Sequence, residues 1–391
     1  MKIIQINTFS HSLLMMDFEK DIYKNWYAQV AFKLKEEDPN LDIECWTPER
    51  KYKKEEQKEV NGVKFRIFPS TFCVRHGMDI SIPLVKALLE EQKKLKGDEK
   101  LIIHIHGYHS WLSYLILSLI KKRNARIFAQ HHGDKSPFKN MRKYKRMALF
   151  LPAVILMQFA ENMFFKKIDV FYSLSDEERG YLKNIAPKSK IKFQTMGIED
   201  KNFAIESKNK ARKKLGLSLD KKYIIYLGRI KTTKGIKELL DAMPQIEDKT
   251  AELILIGEGS DYKKYKDYAA KKNIANANFV GAKYGDEKLD YLTAGDCLIL
   301  PSHTEGAPVV LMEAIAKNLL VIATDVGGIP KMIKNGREGI IIKVKSREDI
   351  ISSINQILKW RKKNIRKYAN VYKWKSIIKA TLKDYKDEAK R

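Results

Sequence analysis

Apolar and polar positions along this chain fall into two recurring patterns. Short apolar runs rich in β-branched residues, KIIQIN from Lys2, DIECW from Asp42, VKFRIF from Val63, LIIHIH from Leu101 and RIFAQ from Arg126, read as buried strands, and so does Asp169 to Ser173. Between them, Asp21 to Lys35 carries Tyr23, Tyr27, Val30, Ala31 and Leu34 at roughly helical spacing, and Ile82 to Lys94 reads as a further helix. A helix at Asp176 to Lys183 and a strand at Lys192 to Thr195 complete this series. A polar stretch, Gly197 to Asn209, lacks apolar periodicity and marks a boundary. Beyond it the alternation resumes, with strands predicted at Tyr223–Leu227, Leu253–Ile256, Asn278–Val280, Leu298–Leu300, Val321–Ala323 and Gly339–Ile342 and helices between them. Strand alternating with helix predicts an α/β chain with doubly wound parallel sheets and right-handed crossovers.

One segment fits neither pattern. FKNMRKYKR, from Phe138, is strongly basic and runs into MALFLPAVILMQFAENMFF. The apolar run has the length of a membrane span, but Pro152, Gln158, Glu161 and Asn162 interrupt it. Two readings stay open: a helix buried in the first domain, or a helix lying in a membrane interface.

Length and charge sharpen this picture. At 391 residues the chain exceeds one ordinary core and suits two domains. Its net charge of +27 favours anionic partners, among them phosphorylated substrates, an anionic membrane surface or nucleic acid. No nucleic-acid-binding motif accompanies the charge, and the lysines are spread along the whole sequence, so no specific nucleic acid is expected. The three cysteines, Cys45, Cys73 and Cys297, are odd in number and lack CxxC spacing, which supports neither a disulfide framework nor a zinc site and points to a reducing cytoplasm. Met1 leads directly into a strand, and no secretory signal is read.

The candidate chemistry sits in two turns of the second series. YIIYLGRIKTTKGIKELL, from Tyr223, is a strand, a glycine turn and a helix, with Arg229 and Lys234 in the turn and Gly235 opening the helix. Two cations at a strand-to-helix turn suit a pyrophosphate, Arg as a planar fork and Lys as a point charge. The second turn, LPSHTEGAPVVLMEAIA from Leu300, places Glu305 before a helix and Glu313 within it, separated by seven residues. Pro308 is expected at an early helical position, and the small residues Gly306 and Ala307 leave the helix start approachable by an anion. In the first series, His104 and His106 alternate onto one side of their strand, with His106 at its carboxyl end, where open α/β sheets bind ligands. His109, His131 and His132 are weaker candidates, and their spacing matches no known metal site. GEGSDY at Gly257 lacks the third glycine of a dinucleotide fingerprint, since Tyr262 stands there.

Arg229, Lys234 and the Glu305/Glu313 pair resemble the signature of the large retaining family of GT-B glycosyltransferases, the glycosyl transferases group 1. The resemblance covers most of the second series and the first only loosely. It implies two Rossmann-like domains facing a central cleft, an N-terminal acceptor-binding domain over 1–200 and a C-terminal domain binding a nucleotide sugar over 201–370. It also implies a helical segment over 371–391 that crosses back onto the first domain. The donor is a nucleoside-diphosphate sugar acting as substrate, with no cofactor and no metal, and the sequence contains no Asp-x-Asp pair. Arg229 and Lys234 would assist departure of the diphosphate, Glu305 would hold the sugar and Glu313 the ribose, with Gly228, Gly257, Gly306, Ala307, Pro308 and Val309 bordering the donor. His106 resembles the family's active-site histidine. The expected activity is sugar transfer, with retention, to a lipid-linked or envelope-glycan acceptor by a cytoplasmic enzyme attached peripherally to the inner face of the membrane. A nucleotide-sugar epimerase of the same fold and a basic nucleic-acid-binding protein without activity are the alternatives. Two features depart from the family: the loop INTFSHSLLMMDFEKD has no glycine and could line an apolar acceptor pocket, and Lys331 in GGIPKMI stands where a Glu is usual.

Overall fold

The computed structural model describes residues 1–9, 22–72, 79–131, 151–360 and 364–391. The glycine-free loop after the first strand, Cys73, His132 and the basic run at 138–146 lie outside the described residues. The chain divides into two compact units, Met1–Thr195 with Ile377–Arg391, and Met196–Ser376.

The first unit is built on an eight-stranded sheet. In chain order its strands are β1 (Lys2–Asn7), β2 (Asp42–Glu49), β3 (Glu56–Val60), β4 (Val63–Pro69), β5 (Leu101–His106), β6 (Ala125–Gln130), β7 (Val170–Ser173) and β8 (Lys190–Phe193). Their spatial order is β3-β4-β2-β1-β5-β6-β7-β8, all parallel except β3. The inner strands are apolar on both faces because helices cover both. Ile3, Ile4, Ile6, Leu101, Ile103, Ile105 and Ile127 are buried, and each such side chain contributes about 1.5–3 kcal/mol relative to exposure.

Three local expectations need correction. The helix expected from Asp21 begins at Trp26, after a 3-10 turn at Ile22–Lys24, because Asn25 takes an extended conformation and interrupts it. β8 starts two residues earlier than its apolar content suggests, since its register is set by pairing Val170 to Lys190 through Ser173 to Phe193. β3, EQKEV, was not anticipated: it has no apolar face, and it pairs antiparallel to β4 across Asn61 and Gly62, both at positive φ, a tight-hairpin geometry.

The second unit holds a six-stranded, wholly parallel sheet of β9 (Lys222–Leu227), β10 (Ala251–Ile256), β11 (Ala277–Gly281), β12 (Cys297–Leu300), β13 (Leu320–Thr324) and β14 (Gly339–Ile342). The order is β11-β10-β9-β12-β13-β14. In both sheets the chain builds outward in one direction and then returns to build in the other. Those reversals fall between β1 and β5 and between β9 and β12, the places where open α/β sheets leave a crevice at their carboxyl edge.

Candidate active site

In the second unit the β9/β12 reversal brings the two predicted turns together. Lys234 Nζ lies 2.6 Å from Glu305 Oε1, and Ser302 Oγ donates to the same oxygen at 2.7 Å. Ser302 is held in turn, because Thr324 Oγ1 at the end of β13 donates to its carbonyl at 2.6 Å. His303 N–H donates to the Thr233 carbonyl at 2.9 Å, and its ring Nε2 meets Glu238 Oε1 at 3.0 Å. Arg229 is exposed on the turn after β9, where Tyr226 Oη donates to its carbonyl at 2.8 Å. Burial and then the Glu305 carboxylate push the Tyr226 phenol up, with Arg229 opposing, so all three groups share one neighbourhood.

Backbone contacts fix these turns against each other. Gly235 is left-handed at φ +69°, and a Cβ on it would fall 2.0 Å from the Pro301 carbonyl oxygen. A Cβ on Gly257 would fall 1.9 Å from the Gly228 oxygen, and one on Gly327, at φ +58°, 2.1 Å from the Glu305 oxygen. Gly328 N–H donates to the Gly306 carbonyl at 2.6 Å. Only glycine permits such approach of one loop backbone to another.

The helix carrying Glu313 spans Val309–Ala316. Pro308 is its cap residue in extended conformation, not a helical position as expected, because its ψ of 115° directs the chain out of the turn. Glu305 therefore lies in the loop, and Gly306, Ala307, Pro308 and Val309 line the entry to the helix. Neither glutamate is a solvated surface residue. Glu313 is 7% exposed and accepts from Lys288 Nζ at 2.6 Å. Lys288, on the helix Gly285–Ala294, carries no recognisable sequence signal and escaped the sequence reading, as did Ser302 and Thr324. Ser302 could have been found from its place between β12 and Glu305; Thr324 could not. Lys331 is exposed just beyond the Gly327–Gly328 turn.

In the first unit the histidines are held in buried hydrogen-bonded networks. His106 is 2% exposed, its Nε2 is 2.6 Å from Gln5 Oε1, and its ring stacks on His104 at 4.3 Å. His104 Nδ1 meets Tyr385 Oη at 2.5 Å, and that hydroxyl accepts from Gln5 Nε2 at 3.0 Å. Burial holds the His104 imidazole down at about 3, so it is neutral. A second cluster was hidden from sequence because its members lie on separate segments. His109 Nδ1 is 2.6 Å from Glu161 Oε1, Tyr114 Oη donates to the same oxygen at 2.7 Å, and Tyr181 Oη donates to Glu161 Oε2. His131 lies 5.4 Å from His109 ring to ring, its Nδ1 is 3.5 Å from Glu178, and burial and then His109 hold it down at about 3. Among the described residues no group of three or more His, Cys, Asp or Glu is arranged to hold a metal ion.

Residues 207–374 match the family model described as "Glycosyl transferases group 1". The chain is 33% identical over 153 residues, 39% of this chain and 36% of the relative, to the "Putative teichuronic acid biosynthesis glycosyltransferase TuaC" of Bacillus subtilis (strain 168). It is 28% identical over 200 residues, 50% of this chain and 52% of the relative, to the "N,N'-diacetylbacillosaminyl-diphospho-undecaprenol alpha-1,3-N-acetylgalactosaminyltransferase" of Campylobacter jejuni. The chain thus spans about half or less of the length of these curated relatives. Among solved structures, the sucrose-phosphate synthase of Thermosynechococcus elongatus superposes with a TM-score of 0.72 at 19% identity, covering 99% of each chain. At that identity the likeness speaks for the fold, which is the pair of parallel-sheet α/β units of the GT-B glycosyltransferases.

Proposed function

Residues 207–374 belong to the glycosyl transferases group 1 family, and from that premise we propose that this chain transfers a sugar from a nucleoside-diphosphate sugar to a lipid-linked or envelope-glycan acceptor. The observation that carries the proposal is the Lys234–Glu305 pair at the β9/β12 reversal, with Arg229 on the same turn. A diphosphate offers Lys234 more negative charge than the single carboxylate it now faces. When Lys234 turns to it, Glu305 keeps the Ser302 donor and its remaining acceptor capacity goes to a sugar hydroxyl. As the bond between the anomeric carbon and the phosphate oxygen breaks, charge builds on the leaving diphosphate. Arg229 and Lys234, carried to that end of the donor by the packed turn after β9, stabilise the charge as it develops.

Glu313, buried and oriented by Lys288, is our assignment for the ribose hydroxyls, at the distal end of the donor. Arg229 and Lys234 supply the counter-charge that some sugar transferases take from a metal, and we read the reaction as metal-independent and retaining. The acceptor class is supported by the relatives, one named for teichuronic acid biosynthesis and one for an undecaprenol-diphosphate substrate. We read the reaction as taking place at the cytoplasmic face of a membrane, a reading that such acceptors and the cysteine usage support. His106, buried against Gln5 and His104, fits a positioning role better than direct contact with the sugar.

The test is a panel of nucleotide sugars incubated with the protein while free nucleoside diphosphate is measured. One donor should release its diphosphate, and Lys234→Ala should slow turnover by roughly a hundredfold or more with an unchanged melting temperature. Wild-type turnover in Lys234→Ala would remove the pyrophosphate assignment.

A further inference from the structure

The helix Leu151–Phe164 presents two contrasting sides. Met157 and Ala160 enter the core of the first unit with Leu112, Ile116 and Phe165, and the fully buried Glu161 receives His109, Tyr114 and Tyr181. At 3.6 residues per turn, Ile155, Phe159, Met163 and Leu156 fall in that order across roughly 100° of the helix surface, clear of the buried sector. They are 57, 60, 48 and 54% exposed. The other solvent-facing positions described are Gln158 and Asn162, both neutral, and the helix's one acid, Glu161, is turned inward. Four large apolar side chains in one stripe form a contiguous patch, not the scattered exposure found on any surface.

Cations border the stripe. Lys166 is exposed directly after the helix. Lys167 Nζ donates to the carbonyls of Ser118 and Ile120 at 3.1 and 3.3 Å, so this end of the helix adjoins the turn that carries Leu119, 47% exposed, and the exposed Lys121 and Arg123.

We infer that this face seats the first unit on an anionic lipid surface, the apolar stripe entering the headgroup boundary and the cations meeting the headgroups. A second copy of the chain fits less well, because a self-paired face would set Lys121, Arg123 and Lys166 against their own counterparts. No described helix is long and apolar enough to cross a membrane, so contact is lateral. The inference uses the first unit alone and does not depend on the transfer reaction.

Vesicle flotation of the full chain, without donor, tests it. Phosphatidylglycerol-containing vesicles should carry the protein up and pure phosphatidylcholine vesicles should not. The double variant Leu156→Gln/Phe159→Gln should lower the bound fraction roughly tenfold, and Lys121→Gln/Arg123→Gln/Lys166→Gln or added salt severalfold. All five residues are exposed, so the variants should keep the wild-type melting temperature, measured alongside. Equal recovery with both vesicle types overturns the inference, as does wild-type binding by the folded double variant. Self-association that is lost in that variant, without vesicle binding, would assign the face to a second copy instead.

Discussion

The two sheets reverse at equivalent places, and the chain fills the two reversals in opposite ways. Beside β1 and β5 stand Gln5, His104, His106 and Tyr385, all buried and bonded to one another. Beside β9 and β12 stand Lys234 and Glu305, with Lys288 and Glu313 nearby, charged, paired and partly open to water. A buried hydrogen-bonded network is costly to break, because each orphaned group loses its partner without regaining water. An ion pair that keeps some access to water, as Lys234 and Glu305 do at 17% and 12% exposure, can trade one partner for a ligand. The first reversal is therefore suited to hold shape, and the second to exchange charge.

The strongest way to break this contrast is Tyr385→Phe. It leaves His104 Nδ1 and Gln5 Nε2 without the shared hydroxyl, and should cost about 2–3 kcal/mol in urea unfolding. Nucleoside-diphosphate affinity, measured calorimetrically, should be unchanged. If Tyr385→Phe instead lost affinity and kept stability, the assignment of roles to the two reversals would be inverted.

Acid sharpens the contrast next. His104 and His131 are held at about 3, below the ordinary 6.5 of imidazole. Between those values the unfolded chain binds protons that the folded chain refuses. Their contribution is therefore complete above pH 6.5 and lost as pH falls toward 3, by about 1 kcal/mol per pH unit for each histidine. Unfolding series from pH 7 to 5 should show this slope, and His104→Gln should flatten it; an equal slope in the variant would mean that His104 is not held neutral.

The contrast also explains what the sequence could convey. Arg229 and Lys234 share one turn, and Glu305 and Glu313 share one loop and helix, so their spacing was readable from local text. The network around His106 joins positions 5, 104, 106 and 385, which no local pattern links. Lys288 was hidden for the same reason, since it reaches Glu313 from a separate helix. β3 lacked an apolar face to announce it. The helix Leu151–Phe164 is apolar on nearly every side, so periodicity could not say which side the core would take. The inner parallel strands, by contrast, were legible, because strands covered on both faces must be apolar along their whole length.

The smallest effect expected concerns that hidden lysine. Lys288→Ala frees the Glu313 carboxylate, and should raise the donor KM roughly three- to tenfold while kcat stays within about twofold. A fall in kcat with constant KM would place Lys288 with the departing diphosphate instead.

The first unit is made of two stretches of chain, and this sets an order on biosynthesis. Gln5 and Tyr385 are hydrogen-bonded across 380 positions, and all of Met196–Ser376 is translated between them. During synthesis, the sheet whose first strand emerges earliest waits for the Tyr385 hydroxyl that its Gln5 and His104 share, while the unit inserted after it is completed first. A chain truncated after Ser376 should show residues 196–376 resisting protease while residues 1–195 are cut, and the full chain, with Tyr385 in place, should protect both.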